Sequence, residues 1–203
     1  LLGRGEADLA IKAPPQFKLW KPLGSGPAVS IIIPAYNSAK TIGLCLDSIA
    51  RQTYSPIEAI VVDSYSRDGT AEIAKSKGAR VIQIADHRQA TKRNVGMGAA
   101  RGEYVMFLDS DQELVEDAIE ECVRLCEERG YEAIHIPELL SEPRGYLEAC
   151  HREVQRICDE RSSMPVPRFL RMDLARRAGP QRADLNWYED VEYAIRLRKL
   201  GAR

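Results

Sequence analysis

Short apolar runs alternate with longer segments in which apolar residues recur at helical spacing. The apolar runs are rich in β-branched residues and end at proline or at polar residues, which predicts buried strands. Strands are predicted at 29–33, 58–63, 80–84, 103–109, 132–137 and 165–171. Helices are predicted at 38–52, 70–77, 88–100, 113–129, 143–161 and 188–201, with a short helix ending at Gly179. Ser38 is the candidate N-cap of the first helix.

Single helices between successive strands favour parallel pairing with right-handed crossovers. The pattern therefore predicts an α/β fold, a mostly parallel central sheet flanked by helices. Four prolines fall within residues 1–28, which predicts a leader or linker strap before one domain at 29–203. Phe17 and Trp20 favour packing of this strap over a binding motif.

The composition excludes several classes of protein. A net charge of −1 and a pI of about 6.4 provide no global basic field for binding nucleic acid. No apolar run approaches the roughly 20 residues of a membrane span, and no signal peptide is visible. The chain starts at Leu1 rather than Met, so either end can be a boundary within a longer protein.

The cysteines and histidines favour a structural interpretation. The chain has 5 cysteines and no CxxC pair, and its 3 histidines show no zinc spacing. Cys122 and Cys126 lie one turn apart on a predicted helix. We interpret the cysteines as core thiols in a reducing compartment rather than as metal ligands or disulfides.

Polar residues follow three of the predicted strands where each strand ends. These ends are 34–37, Asp63 with Ser64, and 109–111. Ligands of parallel sheets bind beyond the carboxyl ends of the strands, so a site is predicted at this edge.

Asp109 and Asp111 are separated by one residue at the end of a hydrophobic strand. Two carboxylates in such a turn suit Mg²⁺ or Mn²⁺, which prefer oxygen ligands and leave positions open for phosphate. The alternative is a solvated turn whose acids cap the helix that starts near Glu113. Convergence with Asp63 favours the cation site.

Asp63 follows four apolar residues, and we predict that it accepts hydrogen bonds from a base or ribose. Its alternative is a role in the turn, to which Asp68 and Gly69 are assigned. Arg93 has two interpretations, a solvated helix face or a partner for a phosphate or nucleobase edge.

Two further features allow more than one interpretation. Asn94, Gly96 and Gly98 weaken their helix, and close approach of a ligand or neighbouring backbone is one explanation. Glu189 and Asp190 open the last predicted helix. On local grounds alone they are best explained as first-turn acids that compensate the helix dipole.

Four ordered blocks between residues 29 and 201 resemble inverting family 2 glycosyltransferases of the GT-A fold. VSIIIPAYN resembles their opening strand, and VVDSYSRDGT resembles their VVDDGSTDGT segment. TKRNVGMGAARGEYVMFLDSD is similar to their ARN and FLDxD block. RFLRMDLARRAGP followed by WYEDVEYAIRLRKLG resembles their late segment with its ED pair.

The resemblance implies a single GT-A-type domain with a Rossmann-like nucleotide-sugar half at 29–111 and an acceptor half at 112–203. It implies Asp190 as general base supported by Glu189, and Asp111 and Asp109 as ligands of Mn²⁺ or Mg²⁺. The residues that it places against the nucleotide-sugar are Pro34, Ala35, Tyr36, Asn37, Asp63, Arg93, Asp109 and Ser110.

The chain departs from the family pattern in two places. Ser64 replaces a second acid, and no QxxRW motif of processive synthases follows the ED pair. Arg168 and Arg171 could meet the phosphate of a lipid-linked acceptor, although surface arginines are the favoured interpretation.

We therefore expect a metal-dependent inverting glycosyltransferase that moves a sugar from a UDP- or GDP-sugar to a hydroxyl or phosphate. The expected acceptor is a glycan or a polyprenyl-phosphate-type molecule, and the expected location is cytoplasmic, at the inner face of the membrane. One alternative is a non-catalytic glycosyltransferase-like binding module. Another is a sugar nucleotidyltransferase, which PAYNSAK disfavours because it lacks glycines.

Overall fold

The computed structural model describes residues 25–136, 166–185 and 187–202. Its strands are β1 (Ser25–Ala35), β2 (Ser55–Asp63), β3 (Arg80–Gln83), β4 (Tyr104–Phe107), β5 (Ala133–Ile134) and β6 (Phe169–Arg171). Its helices are α1 (Ile42–Ala50), α2 (Thr70–Ser76), α3 (Gln89–Ala99), α4 (Ala118–Arg129), α5 (Met172–Ala178) and α6 (Glu189–Lys199). The predicted helix at 143–161 and most of the predicted leader lie outside these ranges.

The described strands form one six-stranded sheet in the order β3-β2-β1-β4-β6-β5. β1 pairs in parallel with β2 and β4, and β2 pairs in parallel with β3. β6 is antiparallel to both β4 and β5. The predicted α/β fold with a mostly parallel sheet is confirmed.

The core has two layers because successive side chains of a strand point to opposite faces. Ile31 and Ile33 of β1 pack in a cluster with α1 and α4. Ile32 packs on the other face with α5 and α6. β1 is thus buried on both sides, which explains its continuous apolar run.

The first strand and the first helix start at residues other than those predicted. β1 begins at Ser25 rather than at residue 29, because Ser25 pairs with Ser55. Tyr54 also donates a hydrogen bond to the carbonyl of Pro27, at 2.7 Å. Ser38 does not cap α1, whose N-cap residue is Thr41. The Ser38 hydroxyl instead lies 2.8 Å from that of Ser110.

The start of α4 also differs from the prediction, at Ala118 rather than 113. The side chain of Gln52 donates to the carbonyl of Val115 at 2.7 Å. The backbone N–H of Thr53 donates to the carbonyl of Glu116 at 2.8 Å. These tertiary bonds hold the acidic segment before α4 in an irregular conformation.

The cysteines that the structure describes, Cys45, Cys122 and Cys126, are free and buried, as predicted. Burial raises the pKa of the Cys122 thiol to about 12, with Cys126 and Glu121 adding to the shift. Cys150 and Cys158 fall outside the described ranges. Among the described helices, none combines the length and the apolar character that a membrane crossing requires.

Gly96 and Gly98 lie on the same helix in different surroundings. A Cβ at Gly96 would lie 2.3 Å from Cγ2 of Ile32, whereas a Cβ at Gly98 would meet no atom within 4 Å. Close approach thus occurs at Gly96, but against a side chain of β1 rather than against a ligand or a neighbouring backbone.

We expect Gly96→Ala to destabilise the fold by about 1–3 kcal/mol, because the methyl group overpacks the contact with Ile32. Gly98→Ala is the matched control and should be neutral or stabilising by up to about 1 kcal/mol, since alanine favours the helix. Urea unfolding of both variants measures the difference. Equal stability of the two variants would contradict the packing described here.

Candidate functional site

The carboxyl ends of β1, β2 and β4 meet at one edge of the sheet. β1 lies between the other two strands, with Ala35 opposite Asp63 and Ile32 opposite Phe107. The polar ends singled out in the sequence therefore lie side by side. This edge is the candidate site.

Asn37 locks the loop after β1 to the loop after β2. Its backbone N–H donates to the Ser66 hydroxyl at 2.8 Å, and its side-chain oxygen accepts from the backbone of Arg67 at 3.1 Å. Its φ of 50° lies in the left-handed region, which asparagine tolerates. Asp68 accepts from the backbone N–H of Ala39, and hydrogen bonding by Thr70 lowers the pKa of Asp68. Asp68 thus serves the turn, as predicted.

Asp63 is fully buried and has internal partners. Its carboxylate accepts from the backbone N–H and hydroxyl of Ser66 and from the side chain of Gln83. This is the turn role that the sequence left as the alternative, and the predicted contact with a nucleotide stays a prediction.

Lys92 and Arg93 are both buried, so neither belongs to a solvated helix face. Lys92 is only 2% exposed, and burial lowers its pKa, while nearby Asp63 acts in the opposite direction. Lys92 is thus close enough to Asp63 for the two groups to interact electrostatically. The sequence had left a solvated helix face open as one interpretation of Arg93 and had assigned no role to Lys92.

Arg93 connects two acidic groups that are far apart in the chain. Its Nη2 donates to Oδ1 of Asp109 at 3.1 Å, and its Nη1 lies 3.6 Å from Oε1 of Glu189. The Arg93 side chain is 6% exposed, and its Nε is buried without a hydrogen-bond partner. The end of β4 and the start of α6 therefore border one site.

Arg168 also contacts Asp109, contrary to the favoured interpretation of a surface arginine. Its Nη2 lies 3.4 Å from Oδ2 of Asp109, and its side chain is 19% exposed. Arg171 lies elsewhere, with its guanidinium over the ring of Tyr104 and 3.8 Å from Glu127. Only the first of the two arginines singled out in the sequence thus reaches the site.

The turn after β4 is held by hydrogen bonds from α1 and from the loop that precedes α1. The Cys45 thiol donates to the carbonyl of Asp109 at 3.7 Å, and the Ser110 hydroxyl pairs with that of Ser38. Burial raises the pKa of Cys45 to about 12, with Asp111 and Asp109 adding to the shift. The side chain of Asp111 is exposed. Asp111 thus lies at the solvent side of the turn, where it can reach a ligand.

The donor set at 109–111 fits a divalent cation that takes further ligands from a substrate. Asp109 and Asp111 supply carboxylate oxygens, which Mg²⁺ and Mn²⁺ prefer. Among the described residues, no group of three His, Cys, Asp or Glu side chains is arranged around a common point. Two carboxylates leave coordination positions for phosphate oxygens.

The segment before the acid pair is fastened to α3 and α6. Asn94 and Gln181 exchange two hydrogen bonds of 2.8 Å, between the Asn94 amide and the Gln181 backbone. Arg88 donates to the carbonyl of Ala183, and Arg196 donates to that of Pro180. Sequence reasoning missed this role of Asn94, although an asparagine in mid-helix was the available signal.

The acid pair itself follows two exposed aromatic residues. Trp187 is 81% exposed, and Tyr188 has a φ of 63° at the N-cap of α6. Oδ1 of Asp190 accepts from the backbone N–H of Val191 at 2.7 Å. Asp190 is half-buried, whereas Glu189 faces Arg93. The neighbouring acids therefore have different surroundings.

A shallow cleft lies at the end of β3, next to the loop after β1. It is lined by residues 84–88, Thr91 and Val95. His87 from this cleft packs edge-on against Tyr36, with ring centroids 4.4 Å apart. The Ser64 hydroxyl donates to the carbonyl of Asp86 at 2.7 Å, which fixes this loop to β2. Sequence reasoning had assigned no role to His87.

The model of the family described as Glycosyl transferase family 2 matches residues 30–137 of this chain. The uncharacterized glycosyltransferase EpsJ of Bacillus subtilis is 43% identical over 90 residues, 42% of this chain and 26% of EpsJ. The glycosyltransferase AglE of Haloferax volcanii is 30% identical over 190 residues, 86% of this chain and 62% of AglE. The chain thus spans less than two thirds of the length of these relatives.

Solved structures share the fold. TarS of S. aureus superposes with a TM-score of 0.69 at 25% identity, over 84% of this chain and 33% of TarS. Its fragment 1–349 in complex with UDP-GlcNAc gives a TM-score of 0.68 at 25% identity, over 84% and 53%. The mannosyltransferase PcManGT of Pyrobaculum calidifontis, solved with GDP-Man and Mn²⁺, gives 0.67 at 23% identity, over 88% and 56%.

Proposed function

The chain belongs to glycosyl transferase family 2, and from this premise we propose that it is a metal-dependent inverting glycosyltransferase. It moves a sugar from a UDP- or GDP-sugar to a hydroxyl or phosphate of a glycan or lipid-linked acceptor. The observation that carries this proposal is the bridge of Arg93 between Asp109 and Glu189. It supports a common site for the candidate cation ligand Asp109 and the acid pair to which the candidate base Asp190 belongs.

The donor binds, in this proposal, to the half at 29–111, and the acceptor binds to the half at 112–203. Pro34 through Asn37 and Asp63 border the nucleoside, at the loops that Ser66 holds together. Complexes of TarS with UDP and UDP-GlcNAc, at 25% identity, support a uridine donor. A guanosine donor is the other candidate.

Asp109 and Asp111 would hold Mn²⁺ or Mg²⁺, with Ser110 between them at the donor. When bound, the ion stabilises the negative charge that grows on the diphosphate leaving group. Arg93 keeps the Asp109 carboxylate in position through a charge-assisted hydrogen bond.

Transfer is a single displacement in which Asp190 accepts the proton of the acceptor hydroxyl. The acceptor oxygen bonds to the anomeric carbon while the bond from that carbon to the diphosphate breaks, which inverts the configuration. Glu189 is held by Arg93, so Asp190 is the acid left to act as base. Holding both reactants in line contributes the remaining rate.

A donor screen tests this function. Thermal shift and calorimetry with UDP, GDP and their sugars, with and without Mn²⁺, should show binding of one nucleotide that Mn²⁺ strengthens. Failure of both nucleotides to bind in the presence of Mn²⁺ would count against the proposal. The proposed acceptor lies at a membrane surface and is reached from the cytoplasmic side.

A further inference from the structure

Lys92 is a buried lysine to which the proposed mechanism gives no part. Only 2% of the residue is exposed, and within the described part of the chain its ammonium group makes no hydrogen bond and no salt bridge. Nζ is nevertheless not fully enclosed, unlike Nε of Arg93, so the ammonium group keeps contact with solvent. Lysines are almost never buried unless they are paired. The ammonium group of Lys92 therefore has a free position for a ligand.

The neighbours of Lys92 on α3 fix its place along the edge of the sheet. The Thr91 hydroxyl donates to Asp86, in the loop after β3, at 3.0 Å. Arg93 donates to Asp109, after β4, at 3.1 Å. In the sheet, β2 and β1 lie between β3 and β4. Lys92, which lies between these two neighbours in the chain and is buried, is therefore at the carboxyl ends of β2 and β1.

The charges around Lys92 place its ammonium group on the nucleoside side of the site. Asp63, at the end of β2, interacts with Lys92 more strongly than Asp109 does. Arg93 opposes the positive charge of Lys92 and is the residue that pairs with Asp109. The candidate cation site thus has Arg93 as its basic neighbour. Lys92 is left for the part of the donor that borders Asp63, which in the proposed function is the nucleoside.

We propose that Lys92 donates a hydrogen bond to a carbonyl oxygen of the donor base and thereby selects a base that carries a carbonyl group. This inference rests on the proposed function, because it requires a nucleotide at this edge of the sheet. An ammonium group donates hydrogen bonds and accepts none, so O2 or O4 of uracil or O6 of guanine satisfies it. Adenine has no carbonyl oxygen, and its amino group would leave a buried ammonium group unpaired, which is costly.

Loss of the ammonium group should weaken the binding of nucleoside and nucleotide alike. Lys92→Met keeps an unbranched side chain of similar length and removes its charge and its donors. We expect it to weaken the binding of UDP in the presence of Mn²⁺ by about 10- to 100-fold, because a charged hydrogen bond is lost. Uridine should lose affinity by the same factor, since the lost bond is to the base. ADP should lose none, so the preference for UDP over ADP should fall.

Calorimetry of UDP, uridine and ADP on the wild-type chain and on Lys92→Met measures these effects, with GDP and guanosine as the second pair. Lys77→Met is the matched control, because Lys77 is a partly exposed lysine that already pairs with Asp47, at 2.7 Å. It should change none of the affinities.

Analogues of the nucleotide test the same hydrogen bond on the wild-type chain. Sulfur accepts a hydrogen bond more weakly than oxygen, so either the 2-thio or the 4-thio analogue of UDP should bind more weakly than UDP. For GDP the analogue is the 6-thio compound. The difference should disappear in Lys92→Met. The wild-type comparison decides the question if Lys92→Met fails to fold in a thermal melt.

Three outcomes would overturn the inference. Unchanged UDP affinity in Lys92→Met would mean that Lys92 only balances the acids around it. A loss of UDP affinity with unchanged uridine affinity would assign the ammonium group to the diphosphate instead of the base. Equal binding of the thio analogues and the natural nucleotide to the wild-type chain would exclude a hydrogen bond to the base carbonyl. If the wild-type chain binds neither UDP nor GDP with Mn²⁺, the proposed function fails first and this inference fails with it.

Discussion

Replacing Asp190 with asparagine is expected to abolish sugar transfer while leaving donor binding intact. Asparagine keeps the shape of the side chain but cannot accept a proton, and a positioned base contributes about 10²- to 10⁴-fold to the rate. The Asp190 carboxylate contacts the backbone of Val191, one residue along α6. The substitution should therefore leave the fold and the donor pocket unchanged. Rates of transfer and dissociation constants for UDP or GDP measure the two effects.

A second acid in the first turn of α6 provides a control that distinguishes a catalytic role of Asp190 from an electrostatic effect on the helix. Glu192 also lies in the first turn of α6, where it pairs with Arg196 at 3.1 Å. If Asp190 only compensated the helix dipole, Asp190→Asn and Glu192→Gln would each lower the free energy of unfolding by a similar small amount, about 0.3–1 kcal/mol. We expect Glu192→Gln to retain transfer. Unchanged turnover in Asp190→Asn would remove Asp190 from the mechanism.

Asp111→Asn is expected to remove the strengthening of nucleotide binding by Mn²⁺ and to lower transfer on the order of 10²-fold or more, since the cation stabilises the leaving group by several kcal/mol. Asp111 is exposed at the tip of the turn after β4, so the loss should come without loss of stability. The ratio of UDP affinities with and without Mn²⁺ is the direct measurement. Slow hydrolysis of the donor, lost in the same variant, would distinguish an enzyme from a module that only binds.

Glu113→Gln provides the control for this prediction. Glu113 lies two residues further along the same loop and pairs with Arg51 at 3.6 Å, with about half of its side chain exposed. Loss of an acid here changes the local charge as much as Asp111→Asn does. If both variants lost the metal effect equally, general electrostatics would account for it and a specific ligand role for Asp111 would be wrong.

The sequence alone was sufficient to predict which edge of the sheet carries the site. The buried strand ending before Asp109 was visible in the chain, because a strand covered on both faces is apolar throughout. The parallel pairing of the strands followed from the single helices between successive strands, whereas the order β2-β1-β4 came from the structure. The parallel pairing alone predicted that Asp63 and Asp109 lie at the same edge of the sheet.

The contacts that complete the site depend on tertiary pairing that no local pattern reveals. Arg168 reaches Asp109 because β6 pairs antiparallel with β4, so that its position is set across the sheet rather than along the chain. Lys92 is buried although its neighbours in sequence are polar. Ser38 had the side chain of an N-cap, but its hydroxyl pairs with Ser110 on another loop.

The central claim is that acids from β4 and α6 share one site in which a divalent cation and a diphosphate meet. Anomalous diffraction from a crystal grown with Mn²⁺ and UDP, or GDP if that is the nucleotide bound, tests it most directly. The account predicts a single manganese peak at the Asp111 and Asp109 carboxylates, in contact with the diphosphate and on the side of the turn that faces Asp190. A manganese peak and a diphosphate bound on another face of the molecule, away from the end of β4, would contradict it.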